Sequence, residues 1–233
     1  MVDHPSSADV LASAAKLQRL VPDAVLVGGT AAALHAGHRQ SFDHDHVLTD
    51  LAERYATVLE AVEASEGWAT SIRASSPPLT LLGSLDGIEA GLRQLRRKRP
   101  LETERHQVTD TATVTVPTVA EMLRVKAFLV VQRNATRDYL DTAALADRTG
   151  FAESVAILAE IDDYYADRSG ESDSVLTTLV SRLAEPAPRD SRVTKQLAAY
   201  RGLAARWHDW AAVIEVCQRL ADGLLRVVED REP

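Results

Sequence analysis

Cysteine occurs once in 233 residues, so no disulfide can form within the chain, and the fold must be held by burial of apolar surface. The lone Cys217 suits a reducing compartment, and a cytoplasmic location is expected. Long apolar runs are missing too: the nearly uncharged stretches, such as Ala127 to Val131, are far shorter than the roughly 20 residues a bilayer span needs. No association with a membrane is expected. The first residues carry Asp3 and Asp9 around Ser6 and Ser7 in place of a basic segment followed by an apolar run, so a signal peptide is not expected either. Positive charge is in deficit, with 26 Lys and Arg against 34 Asp and Glu and a formal charge of −8. That balance argues against a protein that coats nucleic acid through bulk charge. Internal repeats and long low-complexity stretches are absent.

What is present is globular composition, 45% hydrophobic and 26% charged, in a chain long enough to bury a core without a structural metal. Up to Pro117 the sequence alternates short helical and extended patterns; beyond it everything reads as helix. The expected fold class is therefore α+β, with a small mixed-sheet domain at 1–117 and a helical domain at 118–233. Residues 8–20 and 51–64 have helical spacing of apolar positions, and 31–35 suits a short helix. Strands are expected at 24–27, 44–48, 68–73, 79–82, 88–95 and 111–116. Thr118 and Glu121 form a capping box that should start a helix running to about Gln132. Further helices are expected at 137–148, 151–166, 173–184, 190–201 and 205–228, with breaks at Gly150, Gly170 and Pro186 to Pro188. Trp207 and Trp210 read as core.

The charge is uneven. Arg93, Arg96, Arg97, Lys98, Arg99 and Arg105 stand against Glu102 and Glu104, which leaves +4 in that stretch and −12 elsewhere. The stretch reads either as a solvated hairpin or as a local contact for a polyanion such as RNA.

The chemistry concentrates between Val25 and Asp45. A short apolar run ends in Gly28, Gly29 and Thr30, where small residues let backbone N–H groups approach phosphate oxygens and a following helix adds its N-terminal dipole. Downstream, Asp43 and Asp45 sit two apart on an expected strand, so both side chains share one face with Cβ atoms roughly 6 to 7 Å apart. Two carboxylates so placed repel unless a cation neutralises them, and together they can hold divalent metal that bridges phosphates and activates a hydroxyl. Lys126 and Arg133, seven apart, share a helix face, and Arg137 with Asp141 is an i,i+4 pair able to orient each other. Cations of this kind beside paired aspartates suit a triphosphate.

The arrangement of glycine turn, spacer and paired aspartates resembles the DNA polymerase β-type nucleotidyltransferases. Pro117 to Glu121, Lys126, and Arg133 to Asp141 further resemble the later motifs of the AbiEii/MenT-type toxin nucleotidyltransferases. The resemblance covers about residues 24–145. It implies a nucleotidyltransferase domain whose Gly28, Gly29, Thr30, Arg39, Ser41, Arg133 and Arg137 hold the nucleotide. It also implies catalytic Asp43, Asp45, Lys126 and Asp141, with Asp43 and Asp45 as ligands of Mg2+ or Mn2+. Glu89 is the candidate for a third metal carboxylate. The implied reaction is transfer from an NTP, a pyrimidine one, to the 3′ end of tRNA, and the implied partner is a cognate antitoxin, in some relatives a kinase acting on a residue placed like Ser41. Two departures stand out: His44 and His46 flank the aspartates where apolar residues are usual, and the third carboxylate is not obvious.

Alternatives remain open. The acceptor could be a small molecule such as an aminoglycoside, or a protein hydroxyl, and a catalytically inactive nucleotide-binding or antitoxin-binding protein would keep the same fold. His35, His38, His44 and His46 together admit a zinc site, although no matching Cys or His set follows downstream.

Overall fold

In the computed structural model, residues 4–168 and 174–229 are described. The chain divides into two compact units, one built from residues 1–34 and 40–118, the other from 35–39 and 119–233. The two stretches of the first unit enclose His35–Arg39, a segment that groups with the helices.

The first unit opens with α1 (Ser7–Leu20), started by a capping box in which Ser6 and Asp9 satisfy each other's backbone N–H groups. Strand β1 (Val25–Val27) runs directly into α2 (Gly28–Ala36), so the helix begins on the glycines themselves and three residues earlier than the apolar pattern suggests. Next come β2 (Asp43–Leu48), α3 (Leu51–Glu63), β3 (Trp68–Thr70), β4 (Thr80–Leu85) and β5 (Ile88–Gln94). They form a mixed sheet in the order β1-β2-β5-β4-β3, in which only β2 and β5 run parallel. A hairpin of β6 (Thr103–Thr109) and β7 (Ala112–Pro117) completes the unit, β7 packing against β1 and α1. Leu17 and Val21 of α1, Leu51, Val58 and Val62 of α3, and Leu48, Leu81, Leu85 and Leu92 of the sheet form one buried cluster. At roughly 25 cal/mol per Å2 of apolar surface, such burial is the dominant force holding this unit together.

Strand β6 is the least legible element, since Thr103 to Gln107 are all exposed and polar and only pairing with β7 makes them a strand. The basic stretch around it is partly built in: Arg97 is buried and donates to the carbonyls of Arg99 and Pro100, whereas Arg96, Lys98 and Arg99 are exposed.

The second unit is helical: α4 (Val119–Arg133), α5 (Thr136–Thr149), α6 (Phe151–Leu158), α7 (Ile161–Tyr164), α8 (Val175–Ala184) and α9 (Trp210–Glu229). Helices α4 and α5 pack closely, as do α8 and α9, around Leu123, Leu140, Leu145, Leu179, Leu183, Val213 and Leu224. Three expectations change here. The helix expected at 151–166 stops at Leu158 and resumes briefly as α7. The segment expected as a helix at 190–201 is a 3-10 turn at Val193–Ala199, just after Asp190 accepts from the Thr136 backbone N–H and hydroxyl, closing the start of α5. The helix expected from 205 begins at Trp210, after a short 3-10 turn at Ala205–Trp207 that buries Trp207. The break expected at Gly170 lies outside the described residues. Among the described residues no helix is long and apolar enough to cross a membrane.

Candidate functional site

Register fixes the carboxylates. Strand β2 alternates burial along its length, with His44, His46 and Leu48 buried and Asp43, Asp45 and Val47 on the opposite, accessible face. Asp43 and Asp45 therefore project together, as the spacing predicts. Asp43 is fastened twice: Ser41 Oγ, itself buried, donates to its Oδ1 at 2.8 Å, and the Thr30 hydroxyl donates to its backbone carbonyl. Asp45 lies between two glycines. Gly28 has φ +74°, a conformation costly for any residue with a Cβ, and a Cβ there would stand 3.6 Å from Asp45 Oδ2. Gly91 of β5 pairs in register with Asp45, and a Cβ at that position would fall 2.3 Å from Asp45 Oδ1. Glycine inside a strand often marks such a close approach, so the sequence carried the signal at Gly91, which its reading passed over.

The same parallel register sets Glu89 beside Asp43, and parallel neighbours share a face. Yet among the described residues no group of three His, Cys, Asp or Glu side chains could hold a metal ion. Glu89 thus shares the face without completing a three-carboxylate set; Asp45 leans toward Arg93, whose Nε lies 3.2 Å from its Oδ1. The four histidines do not gather into a zinc site either. His44 and His46 lie behind β2 with ring centroids 5.3 Å apart, whereas His38 belongs to the second unit.

Those two histidines occupy the core as neutral rings. His44 donates to or accepts from Ser13 Oγ at 3.0 Å, and burial pushes its pKa down to about 4 against a small opposing pull from Asp43. His46 is fully buried with neither ring nitrogen hydrogen bonded; burial first, and His44 second, hold its pKa well below the usual value.

The second unit gathers a different set. Asp141 on α5 is fully buried, and its carboxylate receives Lys126 Nζ of α4 at 2.7 Å, Arg39 Nε and Nη2 at 2.8 and 3.0 Å, and His38 Nε2 at 2.7 Å. Burial alone would push its pKa up; Lys126, Arg39 and the His38 hydrogen bond outweigh it and hold the pKa well below the ordinary carboxylate range. Asp138, one turn earlier and also buried, goes the other way: burial raises its pKa against the pull of Lys126 and Arg133. The i,i+4 pairing expected between Arg137 and Asp141 does not form. Arg137 is exposed, 5.4 Å from the Tyr200 ring centroid, because Asp141 faces inward, where Arg39 and Lys126 already satisfy it. Arg39, expected on the nucleotide, is held on this carboxylate. Arg133 is exposed at the end of α4. His38 was not foreseen as a partner of Asp141, and no local pattern could announce a contact 103 residues apart in sequence.

JHP933 from Helicobacter pylori is similar in structure over 98% of this chain and 97% of that one, with a TM-score of 0.51 and 16% identity. An antigenic nucleotidyltransferase-like protein from Paracoccidioides brasiliensis is similar over 74% of this chain and 91% of that one, with a TM-score of 0.45 and 16% identity. The likeness to JHP933 bears on the fold, which is α+β with a mixed sheet and a helical C-terminal region. In sequence the chain is 32% identical, over 80% of its length, to the heme uptake protein MmpL11 of Mycobacterium tuberculosis, of which it spans 20%. It is also 32% identical over 56% of its length to the mycolic acid-containing lipids exporter MmpL11 of Mycolicibacterium smegmatis, of which it spans 13%. The chain thus spans at most a fifth of the length of these relatives. No family model matches it.

Proposed function

We propose that this chain is a metal-dependent nucleotidyltransferase that moves a nucleotide from an NTP, a pyrimidine one, to the 3′ end of tRNA and so blocks translation, in the manner of the AbiEii/MenT-type toxins. One observation carries the chemistry: Asp43 and Asp45 share the accessible face of β2 beside a glycine turn that opens a helix.

The donor set fits Mg2+ or Mn2+. Such an ion takes one or two carboxylates and fills its remaining positions with phosphate oxygens and water, and the absence of a Cβ at Gly91 leaves Asp45 the room it occupies on the accessible face. Asp43 and Asp45 would hold the metal, which when bound neutralises phosphate charge and activates the attacking 3′ hydroxyl. The rest falls to the chain's own groups. Gly28 and Gly29 bring backbone N–H donors and the positive end of α2 toward the triphosphate. Thr30 and Ser41 keep β2 and the Asp43 carboxylate in place. Within the second unit, Lys126 and Arg39 keep Asp141 ionised. Phosphorylation of Ser41 by an antitoxin kinase would place a dianion against Asp43 and oppose both metal and nucleotide.

The test is to incubate the protein with each labelled NTP, Mg2+ and total tRNA, with Asp43→Ala as control. Label on tRNA from a pyrimidine NTP, lost in the variant, is the expected result; full labelling by Asp43→Ala overturns the assignment. Acceptor class is separable in the same assay. Replacing the exposed Arg96, Lys98 and Arg99 together should weaken tRNA labelling and flatten its salt dependence. An aminoglycoside acceptor would be labelled equally well by that variant.

A further inference from the structure

The accessible face of the sheet carries one basic side chain whose place the proposed chemistry has not used. Arg93 follows Glu89 and Gly91 along the same face of β5, and its Nε reaches Asp45 Oδ1 at 3.2 Å. The two oxygens of Asp45 are thereby sorted. Oδ1 lies over Gly91 on the Arg93 side, and Oδ2 lies on the side of Gly28, the first residue of the helix-opening turn. Glycine at 91 is what permits this, because a Cβ there would collide with Oδ1. Arg93 is also half exposed, so its guanidinium is open to solvent and to ligand.

A guanidinium has five N–H donors, and the contact with Asp45 is made through Nε. A planar fork beside a carboxylate, next to a turn suited to phosphate, matches phosphate oxygens in geometry and charge. The pair also opposes metal binding, since a cation arriving at Asp45 meets the positive charge of Arg93. Both effects belong to one group and have opposite signs for cation and anion.

We infer that Arg93 is a substrate-binding residue: it contacts the triphosphate of the NTP beside Asp45, and without nucleotide the same guanidinium competes with divalent metal for Asp45. This rests on the nucleotidyltransferase reading above.

The experiment measures Mn2+ binding by electron paramagnetic resonance and, separately, binding of a fluorescent NTP analogue in the presence of Mn2+. Arg93→Gln should tighten Mn2+ binding alone by roughly threefold, the scale of one partly exposed charge. The same variant should weaken NTP binding by roughly tenfold or more, the scale of a lost charge-assisted pair. Arg93→Lys, which keeps the charge and loses the fork, should return Mn2+ affinity to the wild-type value and leave NTP binding impaired. Wild-type affinities for both ligands in Arg93→Gln would overturn the inference, and so would a loss of both, which would mark Arg93 as a support of the sheet. Failure of the underlying reading looks different: wild-type protein would then bind neither Mn2+ nor nucleotide, or would bind them equally well after Asp45→Ala.

Discussion

Mild acid should destabilise the first unit through His44 and His46. In the unfolded chain His44 titrates near its ordinary 6.5; in the fold, burial holds it at about 4. Between those values the unfolded state binds a proton that the folded state refuses, so this stability is complete above pH 6.5 and falls as the pH drops toward 4. The fall from 6.5 to about 4 corresponds to roughly 3 kcal/mol at its limit, most of it already lost by pH 4.5. His46, more deeply buried, adds in the same direction. The Asp141 pKa is held below the ordinary carboxylate value of 3.8, so its contribution is lost only in stronger acid. The Asp138 pKa is raised, so its protonation works in the opposite sense. The assay is urea unfolding at pH 7.5, 6, 5 and 4.5, with amide exchange by mass spectrometry to assign the loss to β2 and α1. His44→Gln with His46→Leu should flatten the dependence between pH 6.5 and 4.5. A wild-type stability already flat across that window would refute the argument that these rings are buried and neutral.

Two further outcomes follow from the carboxylates. Asp141→Asn removes the counter-charge of Lys126 and Arg39 inside the helical unit and should cost about 3 to 5 kcal/mol, the usual penalty for breaking a buried ion set, read by thermal or urea melting; a variant as stable as wild type would show that the set is solvated. Gly91→Ala places a methyl 2.3 Å from Asp45 Oδ1, and displacing that carboxylate by about 1 Å should slow transfer roughly 100-fold while leaving the circular dichroism spectrum unchanged; an unaffected rate would mean that Asp45 has room to move without consequence.

Much of the architecture is written locally. The alternation in Asp43 to Leu48 announces a strand with both aspartates on one side, and the apolar spacing in 119–133 and 136–149 announces paired helices. What local pattern cannot supply is the partner. Arg93 meets Asp45 across 48 residues and Arg39 meets Asp141 across 102, and each contact depends on a register or a helix pairing that no window of sequence contains. Polar β6 failed for a related reason: Thr103 to Thr109 lacks the alternation of apolar residues that marks a strand, because all of it but Val108 is exposed to water. The histidines show the limit from the other side. Their place behind the aspartates follows from the two-residue period, but their full burial as neutral rings does not, since histidine is intermediate between surface and core and its type alone does not decide burial.

The short stretch from His35 to Arg39 has a bearing on how this protein is made. A ribosome delivers Arg39 about a hundred residues ahead of the aspartate it will clasp, an interval of roughly 5 to 20 seconds at ordinary elongation rates. Through that wait the leading half can condense around its own strands, but the trailing half is not yet whole, since two of the groups that offset its innermost negative charge were synthesised first. Severing the chain after residue 118 would strand that charge with Lys126 alone, so the trailing half cannot be lent to another protein as an independent cassette.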